Sequence, residues 1–208
     1  MVESQIVRRG VNDPLVLEAF RTVPRHRYVP DSMQMQAYAD HPLPIGAGQT
    51  ISQPYMVALM TECLRLKGGE RVLEVGTGSG YQAAVLANIA SEVYTIEKEE
   101  DLLVPAMELL AKEGYDNVFF KRGDGTLGWE EKAPFEGIIV TAGAPEVPPS
   151  LKRQLADGGR LVIPVGSLYS QMLVTVRREG NNFTSENVCG CVFVPLIGRE
   201  GWREEEYA

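Results

Sequence analysis

The fold of this 208-residue chain is decided by a single stretch, Val72-Leu73-Glu74-Val75-Gly76-Thr77-Gly78-Ser79-Gly80-Tyr81. A short apolar run ends near an acidic residue, and three glycines then alternate with small hydroxyl residues. This pattern predicts a buried strand, a tight turn and the first turn of a helix. Glycines let the backbone approach a ligand closely, and the N–H groups at a helix start favour electron-rich ligand atoms. The sequence therefore predicts a ligand-binding loop here.

The spacing of the glycines separates several kinds of nucleotide-binding loop. A dinucleotide fingerprint has the form G-x-G-x-x-G, but here the third glycine comes one residue early and Tyr81 fills the expected position. No Lys-Ser or Lys-Thr pair follows, which excludes a phosphate-binding P-loop. The remaining form, E-x-G-x-G-x-G, resembles the S-adenosylmethionine loop of Rossmann-like methyltransferases. Glu74 suits that ligand, because a carboxylate repels phosphate but attracts an ammonium or sulfonium group.

Two further acidic residues follow predicted strands. Glu97 ends the strand that comes about twenty residues after the loop, where a carboxylate accepts hydrogen bonds from ribose hydroxyls. The alternative, a solvated helix start, suits Glu99 onward. Asp124 follows the next strand and is expected to accept the exocyclic amine of adenine, or else to form a simple Asx turn. Because the carboxyl ends of parallel strands share one edge, we expect a common crevice for Glu74, Gly76, Gly78, Glu97, Asp124 and Thr141.

Hydrophobic periodicity predicts an α/β fold. The predicted helices cover residues 13–22, 53–66, 80–90, 99–113 and 148–156, and the predicted strands cover 71–75, 93–97, 118–123, 135–142 and 160–165. This alternation predicts a doubly wound, mostly parallel sheet in a Rossmann-like α/β/α sandwich. Residues 172–178 and a run ending at Leu196 predict an antiparallel edge. Ser52 is the predicted N-cap of helix 53–66, with Pro54 in its first turn.

The domain organisation follows from the same pattern. We expect a single methyltransferase domain over residues 1–208, with an N-terminal helical and loop region at 1–67 that covers the site and a Rossmann-like core at 68–208. Residues 23–48 are rich in Pro, His, Tyr and Gly and show little periodicity. They predict an ordered loop region with short helices, and long loops of this kind are often functional.

Composition limits the partners. The net charge of −8 argues against a nucleic-acid backbone, which needs a basic face. No apolar stretch is long enough to span a bilayer, and the N-terminus lacks a signal-peptide core, so we expect a cytoplasmic protein without a membrane partner. We also expect a monomer. The three cysteines lack metal-ligand neighbours, which predicts ordinary thiols and no metal.

A family resemblance extends over nearly the whole chain. The block Pro42-Leu43-Pro44-Ile45-Gly46-Ala47-Gly48-Gln49-Thr50-Ile51-Ser52-Gln53-Pro54 resembles a motif of protein-L-isoaspartate O-methyltransferases. Ala47 departs from it, since some relatives carry a bulkier residue there. The likeness continues, in order, through residues 23–30, the glycine loop, and residues 123–125, 140–145, 155–166 and 193–198.

This resemblance implies methyl transfer from S-adenosylmethionine to the free α-carboxylate of L-isoaspartyl residues in proteins and peptides, which starts repair through a succinimide. Ser52 occupies the motif position that orients this carboxylate, although it is also the predicted helix cap. The expected cofactor-binding residues are Thr50, Ile51, Gln53, Glu74, Gly76, Thr77, Gly78, Ser79, Glu97, Asp124, Gly125 and Thr141. The expected substrate-binding residues, besides Ser52, are Val194, Pro195, Leu196, Ile197 and Gly198, whose backbone is expected to pair with an extended peptide.

Two other functions stay open at this stage. One is a methyltransferase that acts on a small molecule or on RNA, although no Asn-Pro-Pro-aromatic motif for base nitrogens is present. The other is an NAD-binding oxidoreductase or a non-catalytic nucleotide-binding module, which Glu74 and Tyr81 oppose. A carboxylate is already ionised at neutral pH, so the reaction needs no base. His26 and His41 are therefore interpreted as structural or loop residues.

Overall fold

The computed structural model of the protein describes residues 1–207. Its α-helices are Pro14–Thr22 (α1), Pro54–Leu64 (α2), Tyr81–Ala87 (α3), Glu100–Lys112 (α4), Pro149–Arg153 (α5) and Glu204–Tyr207 (α6). Its strands are Leu43–Gly46 (β1), Gln49–Ile51 (β2), Arg71–Val75 (β3), Glu92–Glu97 (β4), Val118–Arg122 (β5), Phe135–Val140 (β6), Leu155–Gly166 (β7), Gln171–Glu179 (β8) and Asn182–Cys191 (β9). Short 3-10 turns include Val7–Arg9 and Arg25–Tyr28.

The central sheet has seven strands in the order β5-β4-β3-β6-β7-β8-β9. Strands β3 to β7 pair in parallel, and β8 and β9 add the predicted antiparallel edge. The chain leaves β3 toward β4 and β5 and then returns to place β6 on the other side of β3. This reversal of strand order opens a crevice at the carboxyl ends of β3 and β6, where ligands bind in open α/β sheets.

Apolar residues cover both faces of the sheet. In β3, Val72 packs with the core that includes α1, α2 and α3, whereas its neighbours Leu73 and Val75 pack with the core that includes α5. Side chains alternate across a strand, so a strand with a core on each side is apolar almost throughout. This arrangement confirms the predicted sandwich and fixes the glycine loop at one edge of it.

The N-terminal region packs on one face of the sheet. Pro14 begins α1, and the Asp13 carboxylate caps it by accepting from the N–H groups of Leu15 at 2.9 Å and Val16 at 3.2 Å. Within residues 23–51 the short turns are followed by a hairpin of β1 and β2, which the sequence pattern did not predict. This hairpin delivers the chain to Ser52.

Three details of the predicted elements are wrong. Gln53, not Ser52, is the N-cap of α2, because Pro54 starts the helix and holds the preceding residue in an extended conformation. Helix α5 stops at Arg153, since Leu155 already pairs with Phe135 in the sheet. Strand β9 ends at Cys191, and Pro195 instead forms a parallel bridge with Gly143, just after β6. Within residues 1–207, no helix is long and apolar enough to cross a membrane.

Candidate active site

The glycine loop forms one wall of a cavity at the carboxyl ends of β3, β4 and β6, called the main cavity below. Gly76 has a φ of 98°, and a Cβ at this position would lie 2.3 Å from Oγ1 of Thr141. Only glycine fits such a conformation and such a close approach. The Thr141 hydroxyl donates to the Gly76 carbonyl at 2.8 Å. This bond joins the glycine loop to the end of β6 at the point where the strand order reverses.

The carboxylate of Glu97 lies at the rim of the main cavity. Its Oε2 accepts from the Gly78 N–H at 2.9 Å, and its Oε1 accepts from the N–H groups of Lys98 at 2.8 Å and Glu99 at 3.0 Å. These bonds fix the carboxylate and stabilise the loop. A carboxylate has more acceptor positions than these three bonds use, so Glu97 can also accept from hydroxyl groups in the cavity.

Glu74 does not line the main cavity, contrary to the sequence-based expectation that it contacts the cofactor. Its side chain is fully buried, and burial, with the nearby negative charge of Glu97, raises its pKa from the ordinary 4.5 to about 8. Oε2 accepts from the Thr95 hydroxyl, which lies 2.6 Å from the Thr77 hydroxyl of the loop. Glu74 is therefore linked to the glycine loop through the hydroxyl groups of Thr95 and Thr77. It does not reach the main cavity because it lies inside β3, where its side chain is buried.

Asp124 also differs from its expected role. Oδ1 accepts from the Thr126 N–H at 2.9 Å and from the Thr126 hydroxyl at 2.6 Å, and Oδ2 accepts from the Arg199 N–H at 2.8 Å. The Asx turn is therefore present, and the carboxylate also holds the C-terminal segment. Asp124 is not among the residues that line the main cavity, and its contact with adenine stays a prediction. Its neighbour Gly125 does line the main cavity.

A second cavity adjoins the main one. It extends between the start of α2 and the residues that follow β9. The residues that line both cavities are Thr50, Ser52, Thr141, Val194 and Pro195. Ser52 is half-buried at this junction, and its hydroxyl has no hydrogen-bond partner among residues 1–207. The hydroxyl is therefore available to a ligand that reaches the junction.

The structure divides the remaining expected residues between the two cavities. The main cavity is lined by the expected Thr50, Ile51, Gly76, Thr77, Gly78, Ser79, Glu97, Gly125 and Thr141, and also by Val194, Pro195, Leu196 and Ile197. Gln53 lines only the second cavity, and its amide donates to the Asp40 carbonyl at 2.9 Å. Gly198 lies outside both cavities.

Part of the backbone of residues 194–198 is hydrogen-bonded within the chain, and the expected pairing of a peptide with this segment stays a prediction for the remaining backbone groups. The Val194 carbonyl accepts from the Gly143 N–H at 2.7 Å, and the Leu196 N–H donates to the Gly143 carbonyl at 2.8 Å. The Gly198 N–H donates to the Trp202 carbonyl at 3.1 Å. The segment lines the site because Gly143, just after β6, holds it there.

Arg25 is a residue that the sequence patterns did not reveal as part of the site. Its fully buried guanidinium donates through Nη2 to the Ser52 carbonyl at 2.7 Å and through Nε to the Ala37 carbonyl at 2.8 Å. It also lies 4.8 Å from the ring centre of Tyr81, the first residue of α3. Arg25 thus joins the Ser52 loop to the helix that follows the glycine loop. Its sequence neighbours Pro24 and His26 give no sign of this role, because its hydrogen-bond partners are distant in sequence.

The two histidines lie outside both cavities. Nδ1 of His26 is 2.7 Å from the Tyr38 hydroxyl, and Nδ1 of His41 is 2.9 Å from the Pro42 carbonyl. Among residues 1–207, no group of three or more His, Cys, Asp or Glu side chains is arranged to hold a metal ion. The chemistry of the described site rests on hydroxyl groups, carboxylates and backbone groups.

The sheet order, the glycine loop and the carboxylate at the end of β4 define a Rossmann-like S-adenosylmethionine-dependent methyltransferase. The sequence model of one family, described as protein-L-isoaspartate(D-aspartate) O-methyltransferase, matches residues 1–201. The chain therefore belongs to the protein-L-isoaspartate(D-aspartate) O-methyltransferase family. It is an enzyme whose methyl donor is S-adenosylmethionine and whose reaction is the methylation of isoaspartyl residues in protein repair.

Individual relatives agree with this assignment. A protein-L-isoaspartate O-methyltransferase of Geobacter metallireducens is 58% identical over 207 residues, covering 99% of this chain and 96% of the relative. One of Syntrophotalea carbinolica is 57% identical over 206 residues, covering 99% and 95%.

Solved structures agree as well. One protein-L-isoaspartate O-methyltransferase has a TM-score of 0.85 at 30% identity and matches 94% of this chain, which spans 64% of that longer one. A Plasmodium falciparum protein of the same type, solved with S-adenosyl-L-homocysteine, has a TM-score of 0.80 at 29% identity over 92% of this chain and 94% of its own.

Proposed function

We propose that the chain transfers a methyl group from S-adenosylmethionine to the free α-carboxylate of L-isoaspartyl residues in damaged proteins and peptides, at the junction of the two cavities. The observation that carries this proposal is the position of Ser52, which lines both cavities and whose hydroxyl has no hydrogen-bond partner among residues 1–207. A donor in the main cavity and a peptide in the second cavity would meet there. The methyl ester would then cyclise to a succinimide and reopen to aspartate.

The residues of the main cavity fit the methyl donor. The fixed carboxylate of Glu97 suits the two ribose hydroxyls, and the Ile96 and Leu196 side chains give the cavity apolar walls for a base. The loop at Gly76 and Gly78 admits a ligand close to the backbone. When bound, S-adenosylmethionine supplies an activated methyl group on a sulfonium that is its own leaving group. We propose that the methyl donor is also contacted by the other expected residues of this cavity, which are Thr50, Ile51, Thr77, Ser79, Gly125 and Thr141.

The chain contributes alignment and exclusion of water. The substrate carboxylate has an ordinary pKa near 4, so it is ionised at neutral pH and needs no general base. We propose that the Ser52 hydroxyl donates a hydrogen bond to it and aims one oxygen at the methyl group. Arg25 supports this role by holding the Ser52 backbone. Alignment of reacting groups alone supplies a large part of many catalytic rate enhancements.

The second cavity supports the proposal for peptide binding. Tyr55, Met56 and Phe193 give it apolar walls, and Gln53 and Ser52 give it polar groups near the junction. We propose that Val194 and Pro195, which also line this cavity, contact the substrate through their side chains. Leu196 and Ile197 line the main cavity and not the second one, which favours a role toward the methyl donor.

Organisation and location are also proposed. We propose a single domain, which the shared core of the N-terminal region and the sheet supports, since one apolar cluster extends from Ile6 to Leu173. We propose a monomer that works in the cytoplasm without nucleic acid. The three unpaired cysteines fit a reducing compartment, and a net charge of −8 disfavours a phosphate backbone.

The test of the function uses matched synthetic peptides that differ only in one residue, L-isoaspartate or L-aspartate. Both carry one free carboxylate at that position, so charge cannot separate them, but only isoaspartate places it directly on Cα. We expect labelled methyl transfer to the isoaspartyl peptide at a rate about a hundredfold higher, since a displacement of about 1 Å costs that much. The label should leave as methanol in mild alkali. Equal labelling of both peptides, or a label stable to alkali, would overturn the isoaspartyl assignment.

A further inference from the structure

The second cavity is lined almost entirely by uncharged residues. They include Tyr55, Met56, Leu168 and Phe193, and Arg9 is the one charged residue among those that line it. The charged residue of this cavity is thus a cation, although the whole chain carries a net charge of −8. The catalytic role of the site leaves this residue unexplained, since Arg9 does not line the main cavity.

Neighbouring residues hold the Arg9 side chain in place. Its Nη1 donates to Oδ2 of Asp40 at 3.0 Å, and its guanidinium carbon lies 3.4 Å above the centre of the Tyr55 ring. The Asp40 carbonyl in turn accepts from the Gln53 side chain, next to Ser52. Arg9 is therefore positioned relative to the junction through Asp40 and Gln53, and it is not a freely moving surface cation.

The guanidinium still has capacity to bind. Arginine carries five N–H donors, and within residues 1–207 only one side-chain bond of Arg9, to Asp40, is formed. The side chain is 44% exposed. A planar guanidinium held against an aromatic ring and open on its remaining edge is suited to a carboxylate.

We propose that Arg9 is a specificity-determining residue that binds an acidic side chain close to the isoaspartyl residue of the peptide. The enzyme then prefers lesions with an aspartate or glutamate neighbour over lesions with a lysine neighbour. This inference rests on the proposed function, because it takes the second cavity as the peptide site. Arg9 contacts the flanking residue and not the reacting carboxylate, so it sets KM and leaves kcat unchanged.

The experiment measures methyl transfer to a set of isoaspartyl peptides. Glutamate, alanine or lysine is placed in turn at each of the two positions before and after the lesion. For the wild type we expect kcat/KM to be about fivefold higher for glutamate than for lysine at one or more positions, with the difference mainly in KM. The preference should shrink as salt is added, because an exposed ion pair is screened.

Arg9→Gln should reduce this preference to near unity, and Arg9→Lys should keep part of it. Arg8→Gln is the matched control, since it removes the same charge from the adjacent exposed residue, which lines neither cavity. Thermal unfolding checks that each variant is folded. The expected pattern is loss in Arg9→Gln and retention in Arg8→Gln.

Three results would overturn the subsite. The first is a wild type that shows no preference for glutamate over lysine at any position, and the second is an equal loss of this preference in Arg8→Gln. The third is an Arg9→Gln variant that slows transfer equally to all peptides, as expected if Arg9 held the reacting carboxylate. Failure of the proposed function would give another result, because the wild type would then methylate no isoaspartyl peptide, including the alanine peptides. That result would overturn the subsite as well.

Discussion

At the scale of single residues, the site depends on which polar groups the fold has already used. Glu97 keeps acceptor capacity toward the main cavity, whereas Glu74 is buried away from that cavity and the Asp124 carboxylate accepts from Thr126 and Arg199. The Ser52 hydroxyl has no partner among the described residues. These differences separate residues that can bind a ligand from residues that support them.

Ser52→Ala should lower turnover about 10- to 100-fold, because a hydrogen bond to a charged group contributes roughly 1.5–3 kcal/mol. The affinity for S-adenosylhomocysteine should stay near normal. The free energy of unfolding should also stay unchanged, since Ser52 does not cap α2. Steady-state kinetics, calorimetry and urea unfolding measure these three quantities. Ser32→Ala, at an exposed serine, is the control. Unchanged turnover in a folded Ser52→Ala variant would remove Ser52 from the reaction.

Glu97→Ala should weaken S-adenosylhomocysteine binding by about 1.5–3 kcal/mol, because charge-assisted hydrogen bonds to the ligand and to the loop are both lost. Titration calorimetry measures the affinity. Glu108→Ala removes the same charge from an exposed position on α4 and should bind normally. If the two variants bind equally well, the carboxylate at the end of β4 is not part of the cofactor site.

At the scale of elements, the C-terminal segment between β9 and α6 completes the site. Gly143 holds it through two backbone bonds, and Trp202 donates its indole N–H to the Gly143 carbonyl at 3.1 Å. Asp124 holds its far end through the Arg199 N–H. Leu196 and Ile197 lie between these anchors and line the main cavity.

Asp124→Ala should therefore loosen this segment. We expect faster hydrogen exchange of the amides in residues 196–202, with the amides of β3 and β4 unchanged, because a bond to a charged acceptor contributes roughly 1.5–3 kcal/mol. Binding of S-adenosylhomocysteine should weaken as a consequence. Asp116→Ala, at an exposed aspartate, is the control. Weaker binding with unchanged exchange would instead support direct contact between Asp124 and adenine, as the sequence suggested.

At the scale of the whole molecule, the buried Glu74 couples stability to pH. Its folded pKa of about 8 lies above the ordinary 4.5, so the folded chain keeps a proton that the unfolded chain releases. This contribution to stability is complete below pH 4.5 and is lost as the pH rises toward 8. The largest slope for one such group is about 1.4 kcal/mol per pH unit.

Glu74→Gln keeps the shape of the side chain and removes its titration. Urea unfolding at pH 5, 6, 7 and 8 should therefore show a smaller loss of stability with rising pH in this variant than in the wild type. Glu108→Gln should follow the wild type. Parallel curves for wild type and Glu74→Gln would show that Glu74 is ionised in the folded chain over this range.

The sequence by itself determined the sheet, the loop and the family. The β-branched and apolar residues of β3, β4 and β6 favour buried strands, and the glycines of the loop are required by local backbone geometry, as at Gly76. Because strand ends meet at one edge, the sequence also predicted that Gly78, Glu97 and Thr141 face a common crevice, which the structure confirms.

Only the tertiary structure decided which carboxylates remain available and which residues support Ser52. The sequence placed Glu74, Asp124 and Glu97 in one crevice, but the partners of Glu74 and Asp124, Thr95 and Arg199, are 21 and 75 residues away from them. Arg25 reaches the Ser52 carbonyl across 27 residues. Hydrogen bonds between distant residues leave no periodic trace in a sequence, because they depend on how the chain returns to the same point in space.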